Sequence, residues 1–144
     1  MDRKRICRGK VSKGWQMKEY QTEKSKYNLP RNVYMRTLYL IRDYDRLKRL
    51  RQEILYSSPP PPDGQPGCKG GSDSTADKAI QIADVSKECE AIEQAILCIP
   101  DEYRKGVVNN VMYQIRYPDT AHYMTWAKYR SRFIQNVAKN MRYI

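Results

Sequence analysis

A stretch rich in proline and glycine, residues 57–74, separates two long patterns of amphipathic helix. It reads SSPPPPDGQPGCKGGSDS. Proline removes a backbone donor and glycine loosens the backbone, so neither a helix nor a strand can continue through this stretch. The run of four prolines favours an extended polyproline segment, which serves either as an SH3-type ligand or as a spacer. We expect a spacer, because a break between two amphipathic helices predicts a helical hairpin.

The two flanking patterns carry matching apolar seams. Residues 75–99 give the clearest helix signal, with apolar residues at alternating spacings of three and four; these are Ile82, Val85, Cys89, Ile92, Ile96 and Ile99. Residues 27–56 predict one continuous helix of about 40 Å, and its apolar face contains Leu40, Tyr44, Leu47, Leu50 and Ile54. The sequence therefore predicts an antiparallel pair of helices, sealed by Leu40, Leu47, Ile54, Ile82, Cys89 and Ile96.

Two further helices are predicted over residues 100–117 and 121–143. Pro100 suits a first helical position, and the acids Asp101 and Glu102 suit the positive end of a helix. The last helix carries apolar residues at spacings of three and four, namely Trp126, Tyr129, Phe133, Val137, Met141 and Ile144. No strand signal has comparable strength. We predict an all-α protein with one domain over residues 27–144, in which the last two helices pack at one end of the long antiparallel hairpin. A flexible basic N-terminal arm of residues 1–26 precedes the domain.

Positive charge is concentrated at the two ends of the chain. The formal net charge is +11; residues 1–56 contain 16 Lys and Arg against 6 Asp and Glu, and residues 101–144 contain 8 against 3. The middle, residues 57–100, contains 3 against 7 and none of the 12 tyrosines. Basic, tyrosine-rich ends predict a polyanionic partner, bound through phosphate contacts and counterion release. The alternative is charge that serves solubility alone.

The sequence does not predict catalysis. Four cysteines form no CxxC pair, and His122 is the one histidine, so no zinc site is expected. Cys89 and Cys98 are predicted to be buried free thiols, and His122 a polar residue in a turn. No glycine-rich phosphate loop follows a strand, and no run of residues has the apolar length of a membrane span. We expect a non-enzyme without metal or cofactor, in a reducing cytosol and not at a membrane.

The order of segments resembles a known family. The segments in question are IRDYDRLKRLRQEIL (41–55), the connector over 57–76, KAIQIA (78–83), IPDEYRKGV (99–107) and the spacing Trp126…Tyr129-Arg130…Arg132-Phe133-Ile134…Val137-Ala138-Lys139. Over about residues 38–144 the chain resembles RinA/ArpU-type transcriptional regulators of phages and prophages, whose C-terminal part is similar to region 4 of sigma factors. The resemblance implies that the last helix is the recognition helix of a helix-turn-helix. It places Lys128, Arg130, Arg132 and Gln135 towards DNA, and Trp126, Phe133 and Val137 inward.

The sequence departs from the family just before that helix. Only residues 117–125 separate the third helix from Trp126, which is too short for the family's intervening helix and turn. Either the third helix supports the recognition helix, or the DNA-reading unit has been lost and the scaffold serves another role.

Two functions follow as expectations. The first is a phage-encoded, non-enzymatic regulator that binds double-stranded DNA in the host bacterial cytoplasm. The second is an anti-defence inhibitor, similar in role to an anti-CRISPR protein, that docks on a host nucleoprotein complex. A homodimer through the first two helices is a further expectation. The predicted contact residues are Arg3, Lys4, Arg5, Arg8, Lys10 and Lys13 in the arm, Arg46 and Arg49 in the first helix, and Lys128, Arg130, Arg132, Gln135, Lys139 and Arg142 in the last.

Overall fold

A computed structural model describes residue 21, residues 25–57 and residues 74–144. Over these ranges the chain is all-α, as predicted, and contains no strand. The helices are α1 (Arg31–Arg42), α2 (Tyr44–Tyr56), α3 (Ser74–Leu97), α4 (Asp101–Tyr113) and α5 (Tyr123–Asn140). The predicted basic arm and the proline-rich connector lie almost wholly outside the described residues.

The continuous helix predicted over residues 27–56 is wrong, since it begins later and is divided in two. Pro30 precedes α1 with a ψ of 140°, outside the helical range. At Asp43, with φ −87° and ψ 0°, the helical conformation is interrupted for one residue. Hydrogen bonds still bridge this point, because the Asp43 N–H donates to the Tyr39 carbonyl at 3.0 Å and the Asp43 carbonyl accepts from the Leu47 N–H at 3.0 Å. The two helices are thus joined without a loop, yet they pack against different neighbours.

Four helices share the main hydrophobic core. α1, the C-terminal half of α3, α4 and α5 line it with Tyr34, Leu38, Ile41, Ile92, Ala95, Ile99, Val107, Val111, Met112, Trp126, Phe133, Ile134, Val137 and Ala138, and Leu29 adds to it just before α1. Full burial of one such aromatic or aliphatic side chain contributes about 1.5–3 kcal/mol. The first part of the predicted hairpin therefore belongs to the same core as the last two helices.

A second, smaller cluster joins α2 to α3. Its buried members are Leu47, Val85 and Cys89, with Leu40, Tyr44, Leu50 and Ile54 partly buried around them. The contact between α2 and α3 agrees with the predicted pair, whose antiparallel direction stays a prediction. Of the six predicted seam residues, Leu47 and Cys89 are buried and the other four are partly buried. The contact between α2 and α3 therefore buries fewer of these side chains than the predicted coiled-coil-like pair.

The turn between α3 and α4 exposes a cysteine that was predicted to be buried. Cys98 follows the last residue of α3 and is exposed, whereas Cys89 is fully buried. Arg104 reaches back from α4 to the end of α3, where its Nε donates to the Ile96 carbonyl at 3.1 Å and its Nη2 to the Ile99 carbonyl at 3.1 Å. These bonds add donors for carbonyls at the C-terminal end of α3, where intrahelical donors run out. They fix the orientation of α4 relative to the end of α3.

α4 ends at Tyr113, short of the predicted residue 117, because the backbone of Gln114 is left-handed, with φ 57° and ψ 32°. The N–H groups of Gln114 and Ile115 donate to the carbonyls of Asn110 and Asn109, at 3.1 and 3.3 Å. The buried Asn110 amide also donates to the Ile115 carbonyl at 2.9 Å. The bond from Gln114 to the carbonyl four residues earlier is that of an αL helix end. The connection to α5 therefore spans residues 114–122.

Candidate nucleic-acid interface

The start of α5 is fixed by His122. Its backbone is extended, and its Nδ1 accepts a hydrogen bond from the Met124 N–H at 3.2 Å. The side chain thus caps the helix by satisfying one of its orphan donors. The sequence placed His122 in a turn but did not identify this capping role.

One side of α5 is buried in the main core. Trp126, Phe133 and Val137 were predicted to point inward, and each is at most 1% exposed. Ile134 and Ala138 complete the buried side. The spacing of three and four residues, which brings side chains to one face of a helix, explains this arrangement.

The opposite side of α5 carries a line of polar and basic residues, which we call the outer stripe: Lys128, Arg132, Gln135 and Lys139. Lys128, Arg132 and Lys139 are exposed, and Gln135 is half-buried. Steps of four, three and four residues keep them on one face, with about 6 Å of axial rise between Lys128 and Arg132. α5 contains no acid, and within the described ranges no carboxylate lies within ion-pair distance of these cations.

Arg130, predicted to face DNA, instead points into the protein. It follows Trp126 by four residues and precedes Phe133 by three, so it lies on the buried side. Its Nη1 donates to the hydroxyl of Tyr34 on α1 at 3.0 Å. Its Nε and Nη2 are buried without an acceptor among the described residues. The prediction for Arg130 is therefore wrong.

Two cations lie at the C-terminal end of α5: Arg142, which the sequence predicted as a contact residue, and Arg36 of α1, which it did not. Arg142, beyond the helix, is exposed and has a φ of 58°. The next residue, Tyr143, is held by a hydrogen bond from its N–H to the Ala138 carbonyl at 2.9 Å. The guanidinium of Arg36, on α1, lies 4.1 Å from the centre of the Tyr143 ring. Arg36 and Arg142 thus add positive charge near the end of the outer stripe.

Three of the four basic residues of α2, namely Arg46, Arg49 and Arg51, are engaged by an acid or a carbonyl. Arg46 forms a two-pronged ion pair with Asp43, with Nε to Oδ1 at 2.7 Å, and holds the pKa of the Asp43 carboxyl below its usual value. Arg49 donates to the Asp45 carbonyl at 3.4 Å. Arg51 pairs with Glu93 of α3 at 3.0 Å. The predicted contact residues Arg46 and Arg49 therefore have intramolecular partners.

The six predicted contact residues of the arm, Arg3, Lys4, Arg5, Arg8, Lys10 and Lys13, lie outside the described residues. Their contribution stays a prediction.

α4 packs closely on α5 without a tight turn between them. A Cβ atom added to Gly106 would lie 2.6 Å from Cζ3 and 2.7 Å from Cη2 of Trp126, so glycine allows the indole ring to approach α4. The connection over residues 114–122 is longer than the turn of three or four residues in a helix-turn-helix. Tyr103 of α4 also stacks on Tyr129, with ring centres 4.7 Å apart. α4 thus covers Trp126 and packs on Tyr129, whereas Tyr123, Met124 and Lys128 in the same half of α5 stay exposed.

Aromatic residues form a groove where the connection meets α5. This aromatic groove has a volume of about 280 Å³ and is lined by Arg116, Tyr117, Pro118, Asp119, Ala121, Tyr123 and Trp126. The rings of Tyr117 and Trp126 stack at 5.5 Å with an interplanar angle of 10°. Burial raises the pKa of Tyr117 to about 12. The sequence does not reveal this groove, because stacking between residues nine apart requires the folded connection.

No metal or membrane feature accompanies these surfaces. The described residues contain no group of three His, Cys, Asp or Glu side chains that could hold a metal ion. None of the helices in those ranges combines the length and the hydropathy needed to cross a lipid bilayer. Comparisons of the chain with protein-family models, with curated proteins and with solved structures find no match.

Proposed function

We propose that this chain is a non-enzymatic, nucleic-acid-binding regulator that holds a phosphate backbone against the outer stripe of α5. The observation that carries the proposal is the exposure of Lys128, Arg132 and Lys139 along one face of a helix without acids. A duplex carries one negative charge per about 1.7 Å of its axis, so such a line of cations displaces several counterions on binding. The regulatory role and the phage origin are supported by the sequence resemblance alone.

The geometry favours contact with phosphates over the reading of bases. Recognition helices of the helix-turn-helix type read bases mainly with their N-terminal residues. In that half of α5, Trp126 is buried and Tyr129 stacks on Tyr103, and Lys128 is the one exposed cation. The other two cations of the outer stripe, Arg132 and Lys139, lie in the C-terminal half. Phosphate contacts fix position and carry no sequence information of their own, so we expect similar affinity for different duplex sequences.

A salt titration of duplex binding tests this proposal. Arg132→Ala should weaken binding to all duplexes alike and reduce the log–log salt slope by about 0.9, the value for one lost phosphate contact. Arg130→Met is the matched control, because it removes the same charge from the same helix but from its buried side. Its salt slope should equal that of the wild type.

Two results would contradict the proposal. If the wild type binds no duplex at low ionic strength, nucleic-acid binding through α5 is wrong. If Arg130→Met changes the slope as much as Arg132→Ala, the effect comes from net charge and not from the outer stripe.

A second candidate is the inhibitor that docks on a host nucleoprotein complex. It is favoured by large apolar side chains that stay exposed around the α4–α5 connection, namely Tyr113, Ile115, Tyr123 and Met124, each more than half exposed. Aromatic residues and methionine are enriched in protein interfaces. This candidate predicts binding to a protein target in the absence of nucleic acid, with no affinity for a naked duplex.

A further inference from the structure

We propose that the aromatic groove takes one unpaired nucleobase, so that the protein prefers single-stranded segments or strand ends to a closed duplex. This inference rests on the proposed nucleic-acid binding and names the form of nucleic acid that the same surface selects. The volume of the aromatic groove, about 280 Å³, lies just below the range of pockets for drug-sized ligands. This size suits a fragment such as a single base.

The walls of the groove offer stacking surfaces. Tyr123 is 65% exposed, so a large part of its side chain is open to a ligand. Its ring meets that of Tyr117 at 6.1 Å in an edge-on arrangement. Tyr117 in turn stacks on the buried indole of Trp126, which holds this side of the groove in place. A base that stacks on Tyr123 would therefore meet an already ordered wall.

One of the residues that line the groove has a buried hydrogen-bond donor without a partner. Trp126 is 1% exposed, and its indole Nε1–H has no acceptor among the described residues. A buried donor without a partner carries a desolvation cost that a suitable acceptor removes. Ring nitrogens and carbonyl oxygens on the edges of nucleobases are such acceptors.

The charges around the groove separate base from phosphate. Arg116 and Asp119 both line it. The Asp119 carboxylate disfavours a phosphate inside the groove, whereas the Arg116 guanidinium supplies a phosphate contact at the same site. Lys128, the first residue of the outer stripe, follows Tyr123 by five residues, which is about 7.5 Å along the helix axis and about 140° around it. A strand with one base in the groove would therefore pass round the N-terminal end of α5 to reach the outer stripe.

A proline-rich peptide is the other chemistry that aromatic grooves accept. It would use the tyrosines but not the line of cations on the adjoining helix. The positive charge of this part of the chain, with 8 Lys and Arg against 3 Asp and Glu over residues 101–144, therefore favours a polyanion.

The test compares two fluorescent probes, a single strand of about 12 nucleotides and the blunt duplex of the same length. Tyr123→Ala should weaken binding of the single strand by about 5-fold to 100-fold, which is the effect of losing one base–aromatic stack. Its affinity for the duplex should stay that of the wild type. Tyr123→Phe keeps the ring and should bind the single strand normally. Tyr56→Ala is the matched control, because Tyr56 is an exposed tyrosine on α2.

Circular dichroism establishes that each variant keeps its helical content. If the single strand binds as well to Tyr123→Ala as to the wild type, the base site is wrong while duplex binding still supports the proposed function. If the wild type binds neither probe, both proposals fail. If a synthetic peptide with the sequence of residues 57–66 binds the wild type and not Tyr123→Ala, while the single strand is indifferent to that change, the groove is a proline site and this inference is overturned.

Discussion

Helices α2 and α5 look alike in the sequence, since each carries basic residues on one side and apolar residues on the other. In the structure α2 buries one residue, Leu47, whereas α5 buries Trp126, Phe133, Ile134, Val137 and Ala138. Arg46 and Arg51 of α2 are paired with Asp43 and Glu93. Lys128, Arg132 and Lys139 of α5 face solvent on a helix without acids.

This difference teaches that basic residues on an amphipathic helix do not by themselves indicate a polyanionic partner. A cation that an acid of the same fold already pairs must lose that partner before it can bind a phosphate, and this reduces its net contribution to affinity. A cation without an intramolecular acid has no such cost. The net charge of a segment is therefore a weaker indicator of a polyanionic partner than the ion pairing of each residue. The sequence alone does not give that pairing.

The largest expected effect separates the two helices by stability. Phe133→Ala in α5 opens a cavity in the main core and should lower the free energy of unfolding by about 3–5 kcal/mol. Leu47→Ala in α2 should cost about 2 kcal/mol, the lower end for such a change, because partly buried side chains surround it. Urea denaturation of the two variants and the wild type measures both values. An equal or larger loss for Leu47→Ala would show that α2 is not the weaker helix.

Two tyrosines with raised pKa values sharpen the comparison, one in each region. Burial raises the pKa of Tyr44 in α2 to about 12, helped by the hydrogen bond that its hydroxyl donates to Glu93 at 3.0 Å, and burial raises the pKa of Tyr117 beside α5 to about 12. Tyrosine in an unfolded chain titrates near pH 10. The unfolded chain therefore loses these protons first, so the stabilisation is fully present below about pH 10 and is lost as the pH rises through about 12.

Urea denaturation at several pH values between about 9 and 12 measures this loss of stability. Tyr44→Phe and Tyr117→Phe should each remove part of the pH dependence, and ultraviolet absorbance of tyrosinate should show fewer late-titrating groups. A free energy of unfolding that stays constant across this range would contradict the burial of both hydroxyls.

The smallest expected effect is on the cations of α2. Arg46→Ala removes an exposed ion pair with Asp43, and such pairs contribute little to stability. Since Arg46 is already paired, the salt slope of duplex binding should change less than for Arg132→Ala. The measurement is the same salt titration, with both variants side by side. If Arg46→Ala reduces the slope as much as Arg132→Ala, then α2 also binds phosphate and the contrast between the helices is wrong.

The sequence predicted much of the fold because local patterns determine helices. The recurring apolar residues of α3 and α5 predicted both helices to within three residues at each end, and the burial of Trp126, Phe133 and Val137 is confirmed. The division at Asp43 was not predicted, because one polar residue on the outer side of a helix leaves the apolar pattern intact. Which neighbour each half packs against depends on contacts between distant segments, and no local pattern records those.

The candidate site was predicted less well than the fold. Arg130 was assigned to the outer face from the family resemblance, although its spacing from Trp126 and Phe133 places it on the buried side. The pairing of Arg46 with Asp43 could have been expected from a separation of three residues on a helix. The aromatic groove could not, because it depends on how the connection over residues 114–122 folds back on Trp126.

The one-residue interruption at Asp43 also marks the boundary between two units of cooperative unfolding. α1, before it, is held by the core of four helices, whereas α2, after it, is held mainly by Leu47, Val85 and Cys89. Backbone amides in α2 should therefore exchange with solvent through a local opening that leaves α1 intact, so two adjacent helices belong to different units of unfolding. Such an opening would release Arg51 from Glu93 and expose the Cys89 thiol while the outer stripe of α5 keeps its shape. Because the helix is interrupted at Asp43, local unfolding of α2 should leave the proposed binding surface on α5 intact.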